Sequence, residues 1–198
     1  LDDDVSRLVE TASELRHTTE VFQRLMRAKA RETLDVNNVV RRSEMLLRPI
    51  ARRAGIRMGT KLDPNLPFAR GSEARLQQVF LNLMLNAIQQ MSLIERRGLL
   101  RVTTSVERCS HGRRIKVRFS DSGPGIHKRL QDKIFNLGFS TRPDGTGLGL
   151  FIARSLVESM GGTIVLKESF VPLGATFVVE LPASLVMPQA SVMGEGGS

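Results

Sequence analysis

Residues 75–91 read Arg75-Leu-Gln-Gln-Val-Phe-Leu-Asn-Leu-Met-Leu-Asn-Ala-Ile-Gln-Gln-Met91. Apolar side chains at Leu76, Val79, Phe80, Leu83, Ala87 and Ile88 recur at three- and four-residue steps, which predicts a well-buried amphipathic helix. The run contains no Gly or Pro, and Ser72 just upstream is a candidate N-cap. Two asparagines, Asn82 and Asn86, are four apart and share a face. An amide in an apolar setting is costly unless both of its ends find partners. On these residues alone, a polar seam with a purpose and a pair of internally satisfied amides stand equal.

Outward from this helix the pattern alternates between helix and strand. Upstream, Asp35 or Asn37 can cap a helix carrying Val39, Val40, Met45, Leu46, Ile50 and Ala54, closed by Gly55. Ile56-Arg-Met-Gly-Thr-Lys-Leu alternates as a strand, and Pro64, Pro67 and Gly71 punctuate the loop that follows. Downstream, residues 100–106 and 115–119 alternate about Ser-His-Gly, a β-hairpin pattern. A helix over about 147–160, then Gly161-Gly162 and strands over 163–167 and 176–181, complete the body. The expected class is α+β, a two-layer sandwich of mixed sheet on helices, preceded by a long N-terminal helix. Domain boundaries are expected at 1–32, 33–183 and 184–198, the last a disordered tail.

The long first helix is read from Val5, Leu8, Ala12, Leu15, Phe22 and Met26, with Thr19 filling the seventh place of a three–four alternation. Such a seam requires a helical partner. The start at Leu1 is read as that of a fragment.

Composition narrows the function. Hydrophobic residues make up 41% and charged residues 25% of the chain, ordinary for a globular protein. No apolar run reaches the roughly 20 residues of a membrane span, and Leu-Asp-Asp-Asp is no signal peptide. The single Cys109 excludes an internal disulfide. A net charge of +9 is spread over pairs such as Arg41-Arg42 and Arg113-Arg114, with no Tyr or Trp, which argues against nucleic acid and for an anionic small molecule or acidic surface.

Two glycine-rich stretches carry chemistry. Phe119-Ser-Asp-Ser-Gly-Pro-Gly-Ile leaves the second hairpin strand with Asp121 at its end, and Gly123 and Gly125 permit close backbone approach. Asp144-Gly-Thr-Gly-Leu-Gly-Leu opens the last helix, setting bare N–H groups at the positive end of a helix dipole, a place for phosphate. Leu150 stands where a dinucleotide fingerprint needs its third Gly, and no Gly-Lys-Ser/Thr follows, so neither a Rossmann turn nor a P-loop is present.

The order of these blocks resembles the histidine-kinase ATPase family, whose ATP-binding domain (the Bergerat fold) is shared with DNA gyrase, Hsp90 and MutL. Gln78-Val-Phe-Leu-Asn-Leu-Met-Leu-Asn-Ala is similar to its N box, and Asp121-Ser-Gly-Pro-Gly-Ile to its first glycine box. Ile134-Phe-Asn-Leu-Gly-Phe-Ser-Thr-Arg is similar to the F box and Gly145-Thr-Gly-Leu-Gly-Leu to the second glycine box. Gly174-Ala-Thr-Phe resembles a weaker final glycine box. The likeness covers about 35–182 and is nearest the nitrogen-regulator and dicarboxylate-sensor branch of two-component kinases.

The resemblance implies ATP and Mg²⁺ as cofactors, with Asn86 as metal ligand and Asn82 and Asn86 as catalytic positions. Asn82 matches a Glu that serves gyrase relatives as general base; an amide cannot take a proton, which favours phosphotransfer over hydrolysis. Asp121 is expected to read the adenine amino group, beside Gly123 and Gly125. Gly145, Gly147 and Gly149 would bracket the phosphates, together with Thr141, Thr146 and Leu148. Residues 136–146 would form a lid, anchored by Phe135 and Phe139, from which Arg142 reaches phosphate. Gln89 and Gln90 depart from the Lys and aromatic of many relatives. His17 lacks the acid and Pro that follow an acceptor histidine, and His111 and His127 are read as structural or surface residues.

The implied activity is that of a sensor-histidine-kinase catalytic domain passing the γ-phosphoryl to a histidine upstream. Implied partners are the acceptor helix of the same or a paired subunit, a response-regulator receiver domain, and a second copy in a homodimer. A cytoplasmic location is expected. An anti-sigma-type serine kinase and a non-catalytic nucleotide-binding module are the alternatives.

Overall fold

A computed structural model describes residues 32–94, 97–110, 112–142 and 145–184. The seam at 5–26, His17, His111, Asp144 and the tail from 187 lie outside the described residues.

The elements in chain order are β1 (Glu32–Leu34), α1 (Val36–Arg53), β2 (Ile56–Lys61), β3 (Ala69–Gly71), α2 (Glu73–Met91), β4 (Gly98–Cys109), β5 (Gly112–Asp121), α3 (Gly149–Ser159), β6 (Thr163–Phe170) and β7 (Gly174–Pro182). One 3₁₀ turn, Lys128–Leu130, lies between β5 and α3. The main sheet runs β2-β4-β5-β7-β6; β2 and β4 are parallel and every other pair is antiparallel. β1 and β3 form a separate antiparallel pair.

Three helices cover one face of the sheet, with α2 in the middle and packed on both α1 and α3. Its Leu76, Val79, Phe80, Leu83 and Met84 are at most 2% exposed, so this helix is the centre of the core. Phe80 meets Phe119 of β5 with ring centroids 5.2 Å apart, joining the two layers. Along β5 the alternation is plain: Ile115, Val117 and Phe119 are buried against the helices. Lys116, from the opposite face, bridges Glu107 and Glu180 on the neighbouring strands.

Ser72 is the N-cap residue of α2, yet its side chain makes no cap hydrogen bond; Glu73 pairs with Arg42 of α1 instead. In α1 the cap is Asp35, which accepts from the N–H of Asn38 at 3.1 Å. Asn37 has a different task. Its Nδ2 donates to the carbonyl of Asp63 (2.8 Å), and its Oδ1 accepts from Thr104 Oγ1 (2.9 Å). That hydroxyl in turn accepts from the N–H of Asp63 (2.9 Å), closing a buried polar triangle between α1, β4 and the β2–β3 connection.

The expected apolar face of α1 is partly wrong. Met45, Leu46 and Ile50 are 67%, 54% and 45% exposed, whereas Val36, Val39, Val40, Leu47 and Ala51 are buried. Ser43 sits on the buried stripe at no penalty, because its hydroxyl donates to the Val39 carbonyl. Glu32 pairs with Gly71, and Ser184 is buried with its N–H on the Phe68 carbonyl.

Candidate functional site

A cleft of about 640 Å³ opens between the C-terminal half of α2, the loop after β5 and the start of α3. Its floor is one face of α2, where Asn82, Leu85, Asn86, Gln89 and Gln90 fall at steps of three and four. Phe139, Ser140, Thr141 and Arg142 border it from the loop before α3, and Ile126, Leu130, Ile134 and Leu150 give it an apolar wall.

The two asparagines differ. Asn82 is committed at both ends: Nδ2 donates to the carbonyl of Gly149 (3.0 Å), and Oδ1 accepts from Gln78 Nε2 (2.9 Å). It therefore ties α2 to the first residue of α3. Asn86, one turn on, lines the cleft, and its side chain makes no hydrogen bond with another described residue. A half-exposed amide without a partner keeps a hard oxygen for a ligand.

Asp121 ends β5 behind the cleft rather than on its lining. Its Oδ1 accepts from the N–H of Gly123 (2.8 Å) and of Ala175 (3.3 Å), leaving Oδ2 outside that pair of bonds. Burial raises the carboxyl above its ordinary 3.8, against the opposing pull of those backbone N–H groups. Gly125 does line the cleft, but its glycine character serves the protein. With φ +73°, an added Cβ would lie 2.5 Å from the Phe170 carbonyl at the end of β6.

At the second glycine box, Gly147 has φ +66° and a Cβ there would meet the Gly138 carbonyl carbon at 2.3 Å. Residues 138 and 147 thus form the neck of the loop between them. A Cβ on Gly145 would meet Ser140 Oγ at 2.0 Å, and that hydroxyl bonds both the N–H and the carbonyl of Arg142. Gly149 is different: nothing lies within 4 Å of an added Cβ. The N-cap of α3, Leu148, supplies no side-chain acceptor, so its first-turn amides lack a side-chain cap from that residue.

Of the residues expected at the site, Asn82, Asn86, Gly125, Phe139, Thr141 and Arg142 share the cleft, as do Gly145, Thr146, Gly147 and Gly149. Asp121, Gly123 and Leu148 do not line it. Phe135, paired with Phe139 as a lid anchor, instead packs edge-on against Phe177 (6.2 Å) with Arg154 over its ring (5.8 Å). Sequence reasoning missed the apolar wall, Val171 from the β6–β7 turn, and His127 at the mouth. An Ile or Leu in a loop gives no signal of its own. Among the described residues Arg142 is the one lining residue with a permanent charge, and none of the lining residues described is a carboxylate.

Residues 71–185 match the family model described as histidine kinase-, DNA gyrase B- and HSP90-like ATPase. The sensor histidine kinase ZraS of Klebsiella oxytoca is 38% identical over 153 residues, 77% of this chain and 32% of that protein. Full-length ShkA, solved in complex with AMPPNP, superposes with TM-score 0.70 at 30% identity, over 85% of this chain and 35% of that one. Histidine kinase ThkA, solved in complex with the response regulator protein TrrA, gives TM-score 0.66 at 25% identity, over 89% and 50% of the two chains. This chain belongs to the histidine kinase-, DNA gyrase B- and HSP90-like ATPase family, with sensor-histidine-kinase catalytic domains among its relatives. It spans about a third of the length of the curated relatives it matches. Among the described residues no helix is long and apolar enough to cross a membrane.

Proposed function

We propose that the chain binds Mg-ATP in this cleft and presents the γ-phosphoryl to a histidine on a helix of the same or a paired subunit. The observation that carries the reading is Asn86. Its side-chain amide has no hydrogen-bond partner among the described residues, whose lining of the cleft holds one permanent cation and no carboxylate. Among the described residues there is no cluster of His, Cys, Asp and Glu that could hold a metal by itself. One amide oxygen is what the protein would add to a Mg²⁺ ion otherwise held by phosphate oxygens and water. Bound Mg²⁺ supplies neutralisation of phosphate charge. Everything else falls to the chain: the Asn82 bond orients the start of α3, its first-turn amides face anionic oxygens, and Arg142 adds positive charge.

Transfer is favoured over hydrolysis by the state of Asn82. Both ends of its amide are engaged, an amide cannot take a proton, and no carboxylate is among the described residues that line the cleft. A full-length protein of this type would act as a homodimer in the cytoplasm and hand the phosphoryl group to a response-regulator receiver domain. Calorimetric titration with Mg-ATP, and with ADP in EDTA, tests the site: Asn86→Ala should weaken the first more than the second. Equal losses would remove Asn86 as a metal ligand. Supplying an acceptor helix should yield acid-labile phosphohistidine; acid-stable phosphoserine would favour the serine-kinase alternative.

A further inference from the structure

Arg142, among the described residues the one permanently charged side chain lining the cleft, is held from α2. Its Nη1 donates to Oε1 of Gln89, and among the described residues this is the one hydrogen bond joining residues 139–147 to that helix. Gln89 lies one turn beyond Asn86 on the same face and lines the same cleft. The backbone of Arg142 is held as well, by the Ser140 hydroxyl that accepts its N–H at 3.0 Å and donates to its carbonyl at 3.1 Å. A guanidinium has five N–H donors in a rigid fork and no acceptor. The bond to Gln89 engages one of them, and the others have no side-chain partner among the described residues. The identity of the anchor matters, because an amide oxygen accepts without altering charge. A carboxylate there would cancel the cation, and an ammonium would repel it.

We infer that Gln89 is a positioning residue that holds Arg142 as the phosphate-facing cation of the cleft, so that polyphosphate recognition depends on an uncharged latch on α2. The inference rests on the nucleotide reading proposed above. Gln89 acts through Arg142 and not on the phosphates, so it should influence the phosphate end of a ligand and leave the base end alone.

A double-mutant cycle on the full chain, with Mg-ATP and adenosine as probes, tests this. Gln89→Met keeps the length of the side chain and removes its acceptor. Gln89→Met and Arg142→Ala should each weaken Mg-ATP binding by about tenfold, and the double variant should lose no more than Arg142→Ala alone. Gln89→Glu should bind Mg-ATP no better than Gln89→Met. Adenosine affinity should be unchanged throughout, which general structural damage would not allow. Full Mg-ATP affinity in Gln89→Met, multiplicative losses in the double variant, or a parallel loss of adenosine would each overturn the latch. If the wild-type chain binds both probes and the losses multiply, only the latch falls. If it binds neither, the nucleotide reading falls with it.

Discussion

Asn82 should behave as a joint between α2 and α3, and removing it should loosen one edge of the cleft while leaving the core in place. Two hydrogen bonds vanish in Asn82→Ala, one to the Gly149 carbonyl and one from Gln78. Each contributes about 0.5–1.5 kcal/mol net, so the expected loss is about 1–3 kcal/mol. For a domain of this size that is a fall in Tm of about 2–12 °C. Asn82→Asp is the more telling variant. It keeps an acceptor for Gln78 but sets a carboxylate against the Gly149 carbonyl, where Nδ2 now sits 3.0 Å away. At neutral pH Asn82→Asp should therefore lose more stability than Asn82→Ala, and recover part of it on acidification as the carboxyl regains a proton to donate. Thermal melts at several pH values would give the stabilities, and amide exchange over residues 149–153 would report the loosening. The reasoning fails if Asn82→Ala melts within about 1 °C of wild type with unchanged exchange there, or if the two variants match at every pH.

Other expectations follow from the same geometry. Gly147→Ala meets both a positive φ and the Gly138 backbone; it should cost at least about 1 kcal/mol and weaken Mg-ATP binding. Gly149→Ala has open space around the new methyl, so it should melt like wild type yet still bind Mg-ATP less well; a matching Tm loss in both would refute the distinction. Because burial holds the Asp121 carboxyl above its ordinary value, its contribution to stability is full below the unfolded-chain pKa and is lost as pH rises through the folded value. ATP affinity should run the opposite way, falling as pH drops through that value. Asp121→Asn should flatten both profiles and narrow any ATP-over-GTP preference by about tenfold; unchanged profiles would count against the base-reading role. Thr104→Val strips partners from Asn37 and from the Asp63 N–H, and urea titration should register a loss of about 1–3 kcal/mol.

Much of the architecture could be read from periodicity because the elements that carry it are long and one-sided. The repeat in α2 and the alternation in β5 each report a single buried face, and both elements formed within a few residues of the expected bounds. The failures have physical causes. β1 and β3 are three residues each, too short for any alternation to register. In α1 the buried stripe includes Ser43 and Glu44, while Met45, Leu46 and Ile50 are exposed. A pattern read only from apolar letters therefore rotates the helix by part of a turn. Asn37 resembled a cap because Asn favours that position; its partners, Asp63 and Thr104, lie 26 and 67 residues away, beyond the reach of any local rule.

The site illustrates a second limit. Three alternating glycines before a helix suggest one explanation for all three, a phosphate needing bare backbone. In the folded chain they divide. Gly147 is required by the neck at Gly138, and Gly145 by the Ser140 hydroxyl that shapes the backbone at Arg142. Only at Gly149 does the protein itself make no demand. The same division separates the asparagines: both ends of the Asn82 amide are bonded within the protein, and the Asn86 side chain has no hydrogen-bond partner among the described residues. A functional residue is thus recognised here by what packing and hydrogen bonding leave unexplained. By that criterion Asn86 and Gly149 are the residues we propose to meet the ligand, whereas Asn82, Gly145 and Gly147 are set by contacts within the protein.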